Sequence, residues 1–203
     1  MALPEAESKV TRVCPVVLAG GLSSRMGRDK ALLKLPNGRT MLEQATALLG
    51  DLTAPDGVEL LSVVVSGART GAVPDRFEAA GPLGGLYSVA MYLQESAIDC
   101  QALLVVPVDM PLLRTAHLRT LCVAGRCVEQ AVFFEDYFLP CWLPMNLRCT
   151  EYLEAAARGD SIPSMRALFG YLGCMQLPSP SGDWHMNANR PEEFVEIVNL
   201  FER

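Results

Sequence analysis

The sequence lacks a basic charge excess, paired cysteines, long apolar runs and the two commonest phosphate-binding signatures, and each absence removes a class of function. Its 17 Lys and Arg are outnumbered by 23 Asp and Glu, for a formal net charge of −6. Sequence-independent binding to nucleic acid or to an anionic membrane surface needs a basic field, so neither partner is expected, and any anion must be held by a local cluster of cations. No apolar run approaches the roughly 20 residues that span a bilayer. The seven cysteines, Cys14, Cys100, Cys122, Cys127, Cys141, Cys149 and Cys174, contain no C-x2-C pair. An odd number without zinc spacing, behind a start from Met1 to Arg12 that has no signal-peptide pattern, reads as reduced thiols in a cytoplasmic protein without a structural metal. Cys141 has the chemistry of a nucleophile but no accompanying base, which leaves all seven as structural or incidental. A Walker A loop has four residues between its glycines and then Lys-Ser or Lys-Thr, whereas Gly21 and Gly27 are separated by five and Lys30 precedes Ala31. The dinucleotide fingerprint G-x-G-x-x-G is absent as well.

What is present points to a different phosphate loop. With 203 residues, 50% of them hydrophobic and 20% charged, the chain suits one globular domain around a single substantial core. Residues 1–12 are expected to form a loose leader and residues 13–203 the domain. The stretch VVLAGGLSSRMGRDK, from Val16 to Lys30, runs from a short apolar strand into Gly20 and Gly21, then Ser23 and Ser24, then Arg25, Arg28 and Lys30. Glycines lack a Cβ and let backbone N–H groups crowd around a phosphate, and the cations neutralise it.

Periodicity places the other segments. Pro36-Asn37-Gly38 predicts a tight reversal. Thr40 with Glu43 makes a capping-box pattern before Leu42, Ala45 and Leu49, which predicts a helix over Met41–Leu49. Leu60–Val65 predicts a buried strand. Gly81-Pro82-Leu83-Gly84-Gly85 leads into a helix expected from Leu86 to Gln94, with backbone brought close to a ligand. Ala102–Val106 is continuously apolar, as in a central parallel strand covered on both faces. It ends at Pro107-Val108-Asp109-Met110-Pro111, where Asp109 is either a metal ligand at a strand's carboxyl end or a cap for a helix over Thr115–Val123. Strands at Ala131–Phe134 and Cys141–Leu143, with helices around Leu147–Ala157 and Ser164–Leu172, complete the chain before a last helix whose Phe194, Ile197, Val198 and Phe201 share one face. Pro140, Pro144 and Pro163 predict an antiparallel or edge strand in this half. No internal repeat, low-complexity tract or interdomain linker is visible.

The loop around Gly20 resembles the LAGG-x3-RMG-x2-K signature of the small nucleotidyltransferases. Together with Gly81–Leu86, Pro107–Pro111 and Met186-Asn187-Ala188-Asn189-Arg190-Pro191-Glu192-Glu193, it occurs in the order seen in the molybdenum cofactor guanylyltransferase family, a resemblance that spans Val16 to Glu193. The resemblance implies an α/β, single-domain, Rossmann-like nucleotidyltransferase fold, with a mostly parallel sheet flanked by helices and a mixed C-terminal part. It also implies transfer of GMP from GTP to molybdopterin with release of pyrophosphate, Mg²⁺ as cofactor, and apo-molybdoenzymes as partners. By the same resemblance Leu18, Ala19, Gly20 and Gly21 contact the nucleotide through their backbone, Asp75, Gly81, Pro82 and Leu83 also line it, Lys30 and Arg25 neutralise phosphate, and Asp109 holds Mg²⁺. Asn187 and Asn189 lie on the pterin side, with helix capping as the alternative for Asn189.

Gly84, Val108, Met110 and Arg190 depart from the usual pattern, as does Ala68 where some members carry asparagine, and none of these removes a charge the chemistry needs. Trp184 and His185 read as core residues. The glycine loop alone is shared with sister enzymes that use CTP or a sugar or alcohol phosphate, and an idle module that delivers cofactor is a further reading. The paired asparagines before Pro191 favour the pterin branch, and Lys30 with Asp109 favours catalysis. Gly20 and Gly81 favour guanine over cytosine, on the expectation that each missing Cβ makes room for a purine.

Overall fold

A computed structural model of the chain describes residues 10–20, 29–77, 81–128 and 130–201. Strand β1 covers Thr11–Leu18, so Thr11 and Arg12 already stand in the sheet. Parallel to it on one side lies β4, Ala102–Pro107. Every residue of the run Ala102–Val106 is buried because alternate side chains enter different cores. Ala102, Leu104 and Val106 join one cluster, and Leu103 and Val105 join the other.

On the other side of β1 the strand expected over Leu60–Val65 is split into β2, Val58–Leu60, and β3, Val64–Ser66. β2 is in register with Thr11–Val13 and β3 with Val16–Leu18. Thr11 N donates to Gly57 O and Ala19 N to Ser66 O, so the odd-numbered amides of β1 face this edge. Pro15 is the odd-numbered residue at the gap, and it has no N–H to donate.

The C-terminal half supplies β5, Ala131–Phe134, β6, Tyr137–Pro144, and β7, Cys174–Leu177. The sheet runs β2/β3, β1, β4, β6, β5, β7. Only β6 runs against its neighbours, which is the predicted mixed part of an otherwise parallel sheet. β7 has no counterpart among the predicted elements. Its residues are half-buried or exposed, so an edge strand of this kind carries no apolar alternation to detect.

Helix α1, Met41–Gly50, begins with the predicted capping box of Thr40 and Glu43. Helix α2, Gly81–Glu95, starts well before Leu86, so Gly84 and Gly85 lie in its opening turns. Helices α3, Thr115–Arg126, α4, Leu147–Arg158, α5, Met165–Leu172, and α6, Pro191–Phe201, follow close to expectation. Residues of α1, α3 and α6 cover one face of the sheet, and residues of α2, α4 and α5 cover the other. The carboxyl ends of β1, β3 and β4 therefore open on one edge, where ligands bind in doubly wound folds. Among the described residues, no helix is long and apolar enough to cross a membrane.

Candidate active site

Leu18 ends β1 between two neighbours: its carbonyl accepts from Val108 N at 3.0 Å, and the next amide, Ala19 N, donates to Ser66 O at 3.0 Å. Gly20 follows directly. Asp75 returns to this point through a turn in which Gly67 N bonds Val73 O and Val73 N bonds Val65 O. The fully buried Ser66 donates its hydroxyl to Asp75 Oδ1 at 3.3 Å.

Two glycines make this arrangement possible. A Cβ on Gly20 would stand 2.9 Å from Asp75 Oδ2, and one on Gly85 would stand 2.6 Å from Ser66 Oγ. The absent Cβ of Gly20 thus leaves room for the Asp75 carboxylate, a use that the sequence did not suggest. Gly81 differs again, since a Cβ there would meet nothing within 4 Å among the described residues, but its φ of +60° lies in the left-handed region. Gly81 and Pro82 are exposed at the amino end of α2, whereas Leu83 is fully buried.

The opposite wall is built from side chains. Asp29 accepts from Ala31 N at 3.1 Å and so caps a single 3-10 turn, Lys30–Leu32. From that turn Lys30 Nζ donates to Asn189 Oδ1 at 2.6 Å and stands 3.4 Å from Asp109 Oδ2. Asp109 lies just beyond β4, as expected, and does not cap α3, because Arg114 occupies that position. The Asp109 carbonyl accepts from Ala188 N at 2.9 Å, which binds the asparagine segment to the end of β4. The side chain of Asn189 faces Lys30 instead of capping α6; Glu193 Oε2 takes the amides of Asn189 and Arg190 at 2.7 and 3.0 Å. Asn187 Nδ2 bonds locally, to His185 O at 3.2 Å.

Trp184 is buried, as expected of a core residue. Its Nε1 donates to Pro180 O at 2.8 Å, and its ring meets Phe134, Tyr137 and His117 at centroid distances of 5.1, 5.0 and 5.3 Å. His185 is half-buried against Tyr137 at 4.8 Å. This cluster anchors the segment that carries both asparagines. Burial and the nearby Arg114 cation push the imidazole of His117 below its ordinary range, in keeping with Nδ1 accepting from Arg114 N.

The structure thus brings Lys30, Asp109 and Asn189 to one point, with Leu18, Ala19, Gly20 and Asp75 on the adjoining wall. Gly21 and Arg25 belong to residues 21–28 and lie outside the described residues. Cys141 is wholly buried and its thiol is pushed far above the usual range by desolvation, which is unsuited to a nucleophile. Ser66, Glu193 and the Asp29–Arg69 pair escaped the sequence analysis. Ser66 and Arg69 act through contacts that no local pattern encodes, whereas Asp29 and Glu193 stand in the quoted motifs and act there as caps. Arg69 donates to Asp29 and holds that carboxyl below its usual range.

The donor chemistry also suits a hard cation, since two oxygens, one of them a carboxylate, already converge on an ammonium. Among the described residues no group of three or more His, Cys, Asp or Glu could form a metal cage. A single carboxylate is what Mg²⁺ uses when substrate phosphates and water complete its shell.

A profile described as the MobA-like NTP transferase domain matches residues 15–172. The chain is 40% identical to a molybdenum cofactor guanylyltransferase of Xanthomonas euvesicatoria pv. vesicatoria, covering 91% of this chain and 93% of that protein. It is 31% identical to a protein of the same name from Rhizobium meliloti, with coverage of 93% and 91%. Among solved structures, molybdopterin-guanine dinucleotide biosynthesis protein A from Archaeoglobus fulgidus superposes with a TM-score of 0.69 at 16% identity, covering 93% of this chain and 98% of that one. The 2-C-methyl-D-erythritol 4-phosphate cytidylyltransferase of Thermus thermophilus superposes with a TM-score of 0.62 at 18% identity, covering 96% and 100%, so the two share a fold.

Proposed function

Because the chain belongs to the MobA-like NTP transferase family, we propose that it transfers the GMP part of GTP to molybdopterin and releases pyrophosphate. The observation that carries this reading is the convergence of Lys30, Asp109 and Asn189 beyond the carboxyl ends of β1 and β4, beside Gly20 and Asp75. It is supported by identity over most of the chain to proteins named molybdenum cofactor guanylyltransferase.

The reaction is an in-line attack by a phosphate oxygen of the pterin on the α-phosphorus of GTP. A new P–O bond forms, the α–β bridge breaks, and the electron pair leaves with pyrophosphate. Such a transfer asks the protein mainly to position its substrates and neutralise charge. Lys30 supplies a cation at the phosphates, and Asn189 holds it there. Gly20, Asp75 and the opening of α2 line the nucleotide, and the segment from Trp184 to Asn189 lines the acceptor. Asp109 would hold Mg²⁺, which supplies Lewis-acid neutralisation of phosphate charge when bound. The attacking phosphate is already an anion and needs no general base. Apo-molybdoenzymes are the recipients this product would serve.

The test is incubation of the purified protein with GTP, Mg²⁺ and molybdopterin. Pyrophosphate and a guanine dinucleotide of the pterin are expected, both dependent on the acceptor. Equal turnover of CTP would contradict the guanylyl assignment, and GTP binding without pyrophosphate release would identify a delivery module instead.

A further inference from the structure

We propose that Arg69 is a positioning residue of the nucleotide site, fixing the Gly20 backbone and the Lys30 ammonium relative to each other by tying together the residue that precedes each. Its Nη1 donates to Asp29 Oδ2 at 2.6 Å and its Nη2 to Asp29 Oδ1 at 2.8 Å, a bidentate pair. The same Nη2 donates to the carbonyl of Ala19 at 3.0 Å. Asp29 immediately precedes Lys30 and caps the turn that carries it, and Ala19 immediately precedes Gly20. One rigid guanidinium plane therefore spans both. Lysine, a point charge on a flexible stem, cannot hold two carboxylate oxygens and a carbonyl in fixed directions at once.

The turn that carries Arg69 is seated on the same peptide. Gly67 has φ of +130°, and a Cβ there would stand 3.0 Å from Gly20 N and 3.1 Å from the Ala19 carbonyl carbon. Arg69 N donates to Gly67 O at 2.9 Å, and Ala72 N to Arg69 O at 3.1 Å, which closes the turn. Arg69 Nε is buried and has no hydrogen-bond partner among the described residues. Burying a donor unpaired is unfavourable, so the side chain is held in this orientation by its terminal nitrogens and by what they join. Nothing in the sequence marks this residue, because its partners are 40 and 50 residues away along the chain.

The inference rests on the reading of Gly20 and Lys30 as nucleotide ligands, and the experiment separates the two. GTP affinity is measured by calorimetry for the parent, Arg69→Gln, Arg69→Lys, Asp29→Asn and the Arg69→Gln/Asp29→Asn double variant. Melting midpoints without nucleotide and the KM for each substrate accompany it. Arg69→Gln is expected to weaken GTP binding about 10-fold, the scale of one charge-assisted contact. Asp29→Asn should lose a similar factor and the double variant no more than the worse single one, since both changes cut the same tie. Arg69→Lys should recover only part of the loss, and the KM for molybdopterin should stay at the parent value. Multiplicative losses in the double variant would make the two side chains independent nucleotide contacts and overturn the proposal. So would parent-like GTP affinity in Arg69→Gln, or a rise in both KM values that tracks the melting midpoint. A parent chain that binds no GTP would instead overturn the functional reading, and the inference with it.

Discussion

The two walls of the candidate site, one proposed for the nucleotide and one for the acceptor, are held in place by different means. Strand ends and missing Cβ atoms build the first: Gly20 and Gly85 clear space around Asp75 and Ser66, and hydrogen-bonded β1 and β3 hold the backbone. The second is a segment without regular structure, pinned by the buried ring of Trp184 and by Ala188 N on the Asp109 carbonyl. A wall made of backbone tolerates few substitutions and leaves glycines in the sequence. A wall made of side chains on a loop depends on what that loop packs against. Lys30 stands beside both, donating to Asn189 Oδ1 and lying 3.4 Å from Asp109 Oδ2 just beyond the end of β4.

Removing this cation should have the largest effect. Lys30→Ala is expected to keep the fold and lose roughly 10²- to 10³-fold in turnover, the scale for deleting one preorganised group where charge develops. Asp109→Asn should abolish most of the Mg²⁺-dependent rate, because a neutral amide is a poor ligand for a hard dication. A Mg²⁺ titration like the parent's would place the metal elsewhere.

Next come the asparagines, where the structure sharpens the contrast. If Asn187 lies in the proposed acceptor wall, Asn187→Asp sets a carboxylate beside an anionic substrate, and apparent affinity for molybdopterin alone should fall, by about 10-fold. Asn189→Asp puts its charge 2.6 Å from Lys30 Nζ, drawing the ammonium away from phosphate, so affinity for GTP should fall as well. Selective loss of molybdopterin in both variants would show that Asn189 does not govern Lys30.

A smaller effect is expected from the glycines, and it should divide them. Gly20→Ala pushes Asp75 aside and should weaken GTP severalfold. Gly81→Ala has open space around it but strains the backbone by about 1 kcal/mol, so it should lower the melting temperature with GTP affinity little changed. Weakened GTP binding in Gly81→Ala at an unchanged melting temperature would break that division.

The smallest effect concerns the anchor of the acceptor wall. Burial lowers the pKa of His117, so between its folded pKa and its ordinary value of 6.5 the unfolded chain binds more protons. Its contribution to stability is therefore present above about pH 6.5 and lost as the pH falls through the folded pKa. The melting temperature should decline slightly from about pH 7 to about pH 5.5, and His117→Gln should flatten that decline. A slope identical in the variant would exclude His117 as its source.

The same contrast explains what was legible in the sequence. Ala102–Val106 announced a central strand because burial on both faces demands an unbroken apolar run, and Thr40 with Glu43 announced α1 because capping is local. Gly20, Lys30 and Asp109 could be singled out because phosphate chemistry restricts both residue type and spacing, and the structure places Lys30 Nζ 3.4 Å from Asp109 Oδ2. The break between β2 and β3 was missed because Pro15, which accounts for it, lies on a different strand. The contact of Asn189 with Lys30 joins residues 159 apart, and no local pattern encodes such a distance. The contact of Gly20 with Asp75 was illegible for a similar reason, since the carboxylate beside its missing Cβ comes from a distant turn.

The central claim is that two separately built walls each govern one substrate, and the most direct measurement is the initial rate of pyrophosphate release over a grid of GTP and molybdopterin concentrations. The parent, Gly20→Ala and Asn187→Asp would be compared at fixed Mg²⁺. Gly20→Ala is expected to raise the KM for GTP and leave that for molybdopterin unchanged, with the reverse pattern in Asn187→Asp. Both variants raising the same constant, or each raising both constants equally, would contradict the claim.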